Sequence, residues 1–189
     1  MKNESIKKMV LTAMFLAIGL VLPFFTGQIP QIGSMLLPMH IPVFLCALIV
    51  GEKWAAPMAF ILPLMRSMLF GMPPMYPTAI GMAFELAAYA FAAGYLYGHS
   101  KWQCSIALLR CLVIAMVAGR VVWGIVQTIL LGLGGNTFTM QAFMAGALFK
   151  AIPGIILQLI LIPAVMIALN RTKLVPFKSY QGEQADFAK

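Results

Sequence analysis

Apolar residues run through this chain in long blocks rather than in one-sided stripes. Between the blocks lie short polar or Gly/Pro-rich breaks. A helix crossing a bilayer needs about 20 mostly apolar residues, and six blocks approach that length. They run Met9–Phe25, Met35–Val50, Trp54–Phe70, Pro77–Tyr97, Ser105–Leu133 and Phe143–Leu169. The second is short and carries Pro38 and Pro42 near its start. The pattern predicts an all-α integral membrane protein with six transmembrane helices. Residues 1–170 form the membrane domain, and 171–189 form a polar cytoplasmic tail.

The breaks alternate in character. Gly27–Ser34, Gly71–Tyr76 and Gly134–Gln141 contain no Lys or Arg. The N-terminus, the Glu52-Lys53 turn, the His99–Lys101 turn and the tail from Arg171 hold nearly all the exposed basic residues. Basic connections stay in the cytoplasm, so both termini and those two turns are expected there, in a plasma-membrane protein. An even number of spans agrees with that. Lys2, Lys7 and Lys8 before the first block resemble a signal peptide, but no small-x-small cleavage site follows near Thr26. An uncleaved first helix is expected.

Composition removes the soluble alternatives. The 189 residues are 62% hydrophobic and only 10% charged, against about 25% charged in soluble domains. The net charge of +8 reads as membrane orientation, not as a nucleic-acid face. Cys46, Cys104 and Cys111 lack any ligand spacing and read as small buried hydrophobes.

Ionisable residues inside the blocks are costly, which makes them functional candidates. At 1.5 Å per residue, Arg66 lies about 7 Å from the outer end of its helix, Glu85 and Lys150 about 12 Å, and Arg120 about 18 Å. His40 lies just inside the outer end of block two. Trp123 and Gln127 share one helical face with Arg120. Tyr76 sits at the outer end of block four, and Asn136 lies in an outer connection able to act as a lid. These groups come from several helices and point to a pocket open to the outside. Matching depth pairs Glu85 with Lys150. The surplus of cations over Glu85 then calls for a carboxylate or phosphate on the ligand. Several bland roles compete. Arg66 can snorkel outward, and Arg120 and Lys150 can bond backbone carbonyls. Arg110 reads as a snorkelling residue, and Gln158 reads as helix–helix glue.

Chemistry beyond binding has little support. The chain has no GxxxxGK[ST] loop, no HExxH and no GxSxG. Ala13 and Ala17, followed by Gly19, form a small-xxx-small pattern that permits close helix approach. Packing inside the bundle is its ordinary explanation.

Over about residues 5–170 the chain resembles the substrate-binding S components of energy-coupling factor (ECF) vitamin transporters. The features that carry this are six spans, AxxxA in the first helix and a shortened second helix. The stretches Leu37-Pro-Met-His-Ile-Pro-Val43, Leu62-Pro-Leu-Met-Arg66 and Met72-Pro-Pro-Met-Tyr-Pro-Thr78 are similar to a branch linked to pantothenate, hydroxymethylpyrimidine or pyridoxine. The resemblance implies capture of a vitamin from outside, with no cofactor of its own. A membrane T component and two cytoplasmic ATPase subunits then drive import, and ATP is used by those partners. It also assigns Ala13 and Ala17 to the T-component interface, and places 27–35 and 134–141 over the ligand. Pantothenate suits the cation surplus best. The remaining alternatives are a self-sufficient secondary transporter of a small organic anion, a membrane enzyme, and an assembly factor.

Overall fold

The computed structural model describes residues 2–26, 38–100, 104–133 and 152–172. All regular structure among them is helical. We number the α-helices α1 (Lys2–Val21), α2 (His40–Ile49), α3 (Glu52–Phe70), α4 (Ile80–Gly98), α5 (Ser105–Leu133) and α6 (Ile152–Arg171). A 3₁₀ turn, Leu22–Thr26, extends α1, and a π-turn, Met75–Ala79, leads into α4. Of these, α1, α4, α5 and α6 are long and apolar enough to cross a membrane. The ten residues of α2 span only about 15 Å. Helix α3 is long enough, but Lys53, Arg66, Pro57 and Pro63 lower its apolarity.

Helix α4 is the hub. It packs along α3 and α5 on two sides and against α2 on a third. Half of its spanning window is buried, against 6% for α1, so α1 is peripheral. Only one side of α1 meets the bundle, through Phe15, Leu16, Gly19 and Leu20. Its other side leaves Met9, Val10, Met14, Ile18 and Val21 exposed. A long row on α5, including Val113, Val117, Val121 and Ile125, is exposed in the same way. Such apolar exteriors are stable facing acyl chains, where no polar surface is needed.

Two groups of contacts define the ends of the bundle. At one end the carboxyl ends of α1, α3 and α5 meet the start of α4. Phe24 packs edge-on against Phe70 at 4.8 Å, and the Tyr76 hydroxyl donates to the Leu130 carbonyl. These helices run into the three uncharged connections. At the other end the α2–α3 turn lies on α4. A Cβ on Gly94 would sit 2.7 Å from the Glu52 backbone nitrogen, so only glycine lets that turn approach. Gly51 has φ 103°, a left-handed conformation that glycine adopts without penalty. The Glu52-Lys53 and His99 turns therefore share one end, opposite the uncharged connections.

Glycine also sets the α4–α5 spacing. A Cβ on Gly119 would lie 2.3 Å from the Tyr89 ring. The ring sits flat in the helix–helix seam because that Cβ is missing. Gly119→Leu should therefore force α4 and α5 apart and destabilise the fold by about 1–3 kcal/mol or more. Gly132→Ala, which meets nothing within 4 Å, should be neutral or stabilise by up to about 1 kcal/mol. Unfolding of both variants in mixed micelles checks the contrast, and equal effects would contradict this reading of the seam.

Candidate functional site

Antiparallel packing of α4 and α5 brings Gly81 opposite Gln127 and Tyr89 opposite Gly119. Glu85 lies between them, one turn from each on α4. It therefore faces Arg120 on α5, at 2.9 Å from Oε1 to Nη1. The Glu85 side chain is 3% exposed and that of Arg120 15%. The Tyr89 hydroxyl donates to the same Glu85 oxygen at 2.7 Å. Tyr89 in turn packs against His40 and Phe44 of α2, each with ring centroids 5.3 Å away. A continuous buried cluster thus runs from His40 through Tyr89 and Glu85 to Arg120. It joins three helices around the hub.

Among the described residues the partner of Glu85 is Arg120; the depth-based expectation named Lys150, which lies outside them. Counting residues put Glu85 level with Lys150 and about 6 Å above Arg120 along the helix axis. The guanidinium at the end of the arginine side chain closes that offset. Lys150 and Asn136 lie outside the described residues.

Trp123 and Gln127 continue the seam toward the uncharged end. A Cβ on Gly81 would lie 2.7 Å from Gln127 Oε1 and 3.7 Å from Trp123 Cδ1. Gly81 thus lets the α4 backbone pack directly against both side chains. Arg120 Nε and Gln127 Oε1 are buried and meet no hydrogen-bond partner among the described residues. So is Gln158 Nε2 on α6, in a residue 1% exposed.

Arg66 and Tyr76 stand apart from this cluster. Helix α1 ends at Val21, so its last carbonyls lack intrahelical donors. Pro23 has no N–H to give Leu20 in the 3₁₀ turn. Arg66 Nη1 supplies the missing donor to Leu20 O at 2.7 Å. Its guanidinium also lies 5.3 Å from the Phe24 ring and 5.6 Å from Phe70, within cation–π range. Arg66 is 5% exposed, so it does not snorkel. Tyr76, 48% exposed, does the same work for α5, because Leu130 is among its last four carbonyls.

Ala13 and Ala17 lie on the exposed side of α1. Packing inside the bundle is thereby excluded as their role in the described structure. Gly19 instead makes the internal contact, where a Cβ would meet Leu62 at 2.7 Å.

Sequence reasoning missed Tyr89, Gly81 and Gly119. For Tyr89 a signal existed: it stands four residues after Glu85, within side-chain reach on one helical face. The glycines carry no local signal, because their role depends on the neighbouring helix.

Removing one member of a buried ion pair strands the other. Glu85→Ala should destabilise by about 3–5 kcal/mol and Arg120→Ala similarly. The double variant should recover a large part of that loss, and a double-mutant cycle of unfolding free energies measures the coupling. Strictly additive losses would show that the pair is not energetically joined.

No curated protein and no solved structure gives a significant match. The family model described as "ECF transporter, substrate-specific component" matches residues 7–166. Members of that family are transporter components, not enzymes. With most of its length covered by that model, the chain belongs to the ECF transporter substrate-specific component family.

Proposed function

We propose that this protein is the capture subunit of an ATP-driven importer in the plasma membrane. It binds a small water-soluble vitamin or precursor from outside and works with a T component and two ATPase subunits. All six helices belong to the membrane domain, and both termini lie in the cytoplasm. The observation that carries the reading is the buried polar cluster on the hub helix of a chain in this family. Membrane helices bury such groups at a cost, and a binding role explains why they are kept. The chain's lack of a nucleotide loop fits an importer energised by other subunits.

The division of surfaces supports the same reading. Ligand groups sit on α2, α4 and α5. The AxxxA face sits on peripheral α1, exposed and open to another helix. Small residues there allow close approach of a T-component helix. Asn136 and Lys150 complete the pocket from its outer side on this proposal. Arg66 and Tyr76 act on it indirectly, by fixing the helix ends beneath the outer connections.

Sequence charge favoured pantothenate, because its carboxylate answers unpaired cations. That argument loses force here. Arg120 pairs with Glu85 and Arg66 bonds Leu20, which leaves the carboxylate to Lys150.

Purified protein in detergent should bind one member of a vitamin panel one-to-one without ATP. The panel is pantothenate, pyridoxine, hydroxymethylpyrimidine, riboflavin, thiamine, biotin, folate and niacin, followed by tryptophan fluorescence and melting temperature. Failure of folded protein to bind any of them would count against vitamin capture and favour the secondary-transporter alternative. The double variant Ala13→Leu/Ala17→Leu should keep that binding unchanged. In cells with all partner subunits it should lose uptake by about tenfold or more, since bulk on a close helix interface costs about 1–3 kcal/mol. Normal uptake by that variant would remove α1 as the docking helix.

A further inference from the structure

Helix α1 joins the rest of the bundle at few points. Only 6% of its spanning window is buried. Lipid tails are as apolar as its side chains, so its attachment rests on packing and hydrogen bonds rather than on a hydrophobic gain. Near its start the Cys46 thiol of α2 donates to the Thr12 hydroxyl at 4.0 Å, and a thiol is a weak donor. Farther along, Gly19 admits the Leu62 side chain of α3. At its end Arg66 Nη1 donates to the Leu20 carbonyl at 2.7 Å. The same guanidinium lies within cation–π range of Phe24 and Phe70, and those two rings meet edge to face. A bond from a charged donor is about twice as strong as a neutral one. Arg66 is therefore the strongest polar tie between α1 and the bundle among the described residues.

The place of that tie bears on the outer face of α1. Leu20 follows Ala17 by three residues and Ala13 by seven, which sets all three along one edge of the helix. Ala13 and Ala17 are exposed, whereas Leu20 packs against the core. A helix that docks through small residues brings two backbones close together, so its roll and tilt must be well defined. A roll of about 100°, one residue's worth, would present Met14 and Ile18 in place of the alanines. Arg66 holds the last turn of α1 against α3 and resists that roll.

We propose that Arg66 is a positioning residue for partner docking. By holding the Leu20 carbonyl it sets the roll and tilt at which α1 offers Ala13 and Ala17 to a closely packed helix of the T component. The inference rests on the capture reading above and adds to it the residue that orients the docking face.

The test uses the full chain, tagged and co-expressed with its T component and ATPase subunits. Arg66→Met keeps a long side chain but removes the donors. It should lower the T component recovered with the chain by about tenfold, the effect expected of one lost hydrogen bond from a charged group. Arg66→Lys returns a charged donor and should restore most of the recovery. Arg66→Gln, a shorter and uncharged donor, should fall between Lys and Met, and it keeps the series readable if the Met variant does not fold. Tyr76→Phe removes the corresponding bond at the end of α5 and should leave recovery of the T component unchanged. Added to Ala13→Leu/Ala17→Leu, a substitution at Arg66 should cause little further loss, because both act through one face. Normal recovery with folded Arg66→Met or Arg66→Gln would overturn the proposal. So would equal losses in the Arg66 variants and in Tyr76→Phe, which would mark a general loosening of the bundle. Full recovery of the T component by Ala13→Leu/Ala17→Leu would instead defeat docking through α1 itself.

Discussion

A carboxylate and a guanidinium held together inside an apolar bundle set the terms for the rest of this molecule. Glu85 and Arg120 meet at 2.9 Å in surroundings where either alone would be severely destabilising. Their contact fixes the register of α4 against α5. That register requires Gly119 opposite Tyr89 and Gly81 opposite Gln127. Tyr89, locked by its bond to Glu85, then presents its ring to His40 and Phe44 and orients α2. One ionic contact thus organises three helices, and the polar face beside it inherits its geometry.

The bundle end away from the charged turns is governed by a different need. Helix carboxyl ends expose carbonyls, and a bilayer offers no water to satisfy them. Arg66 answers Leu20, and Tyr76 answers Leu130. Both residues looked like ligand contacts when judged by depth alone. In the structure they bond the ends of α1 and α5. A side chain at pocket depth can therefore serve the backbone, whatever it does for a ligand.

Much of the architecture was legible because apolar length is a one-dimensional signal. The fifth block, Ser105–Leu133, coincides with α5, since no proline and no polar run interrupts it before Gly134. The fourth block began at Pro77, whereas the regular helix begins at Ile80. A π-turn occupies the gap, because the prolines at 73, 74 and 77 break regular helical bonding. The site was less legible. Glu85, Arg120, Trp123 and Gln127 were identifiable as costly or co-facial residues. The choice of Arg120 as the partner of Glu85 was not, because side-chain reach and inter-helix register do not follow from counting residues. The outward direction of Ala13 and Ala17 did not follow from the pattern of α1, which is apolar on every side after Lys8; only the family resemblance implied it.

The peripheral position of α1 carries an implication for how such a protein can change over time. Its exposed face shares no side chain with the seam between α4 and α5, while its inner face meets α2 through Thr12 and Cys46 and α3 through Leu20 and Gly19. On the capture reading proposed above, substitutions around Arg120 or Gln127 would alter what is recognised without reshaping the outer surface of the first helix. Chains with unlike ligand preferences could keep one common exterior there, and a single partner could serve them all.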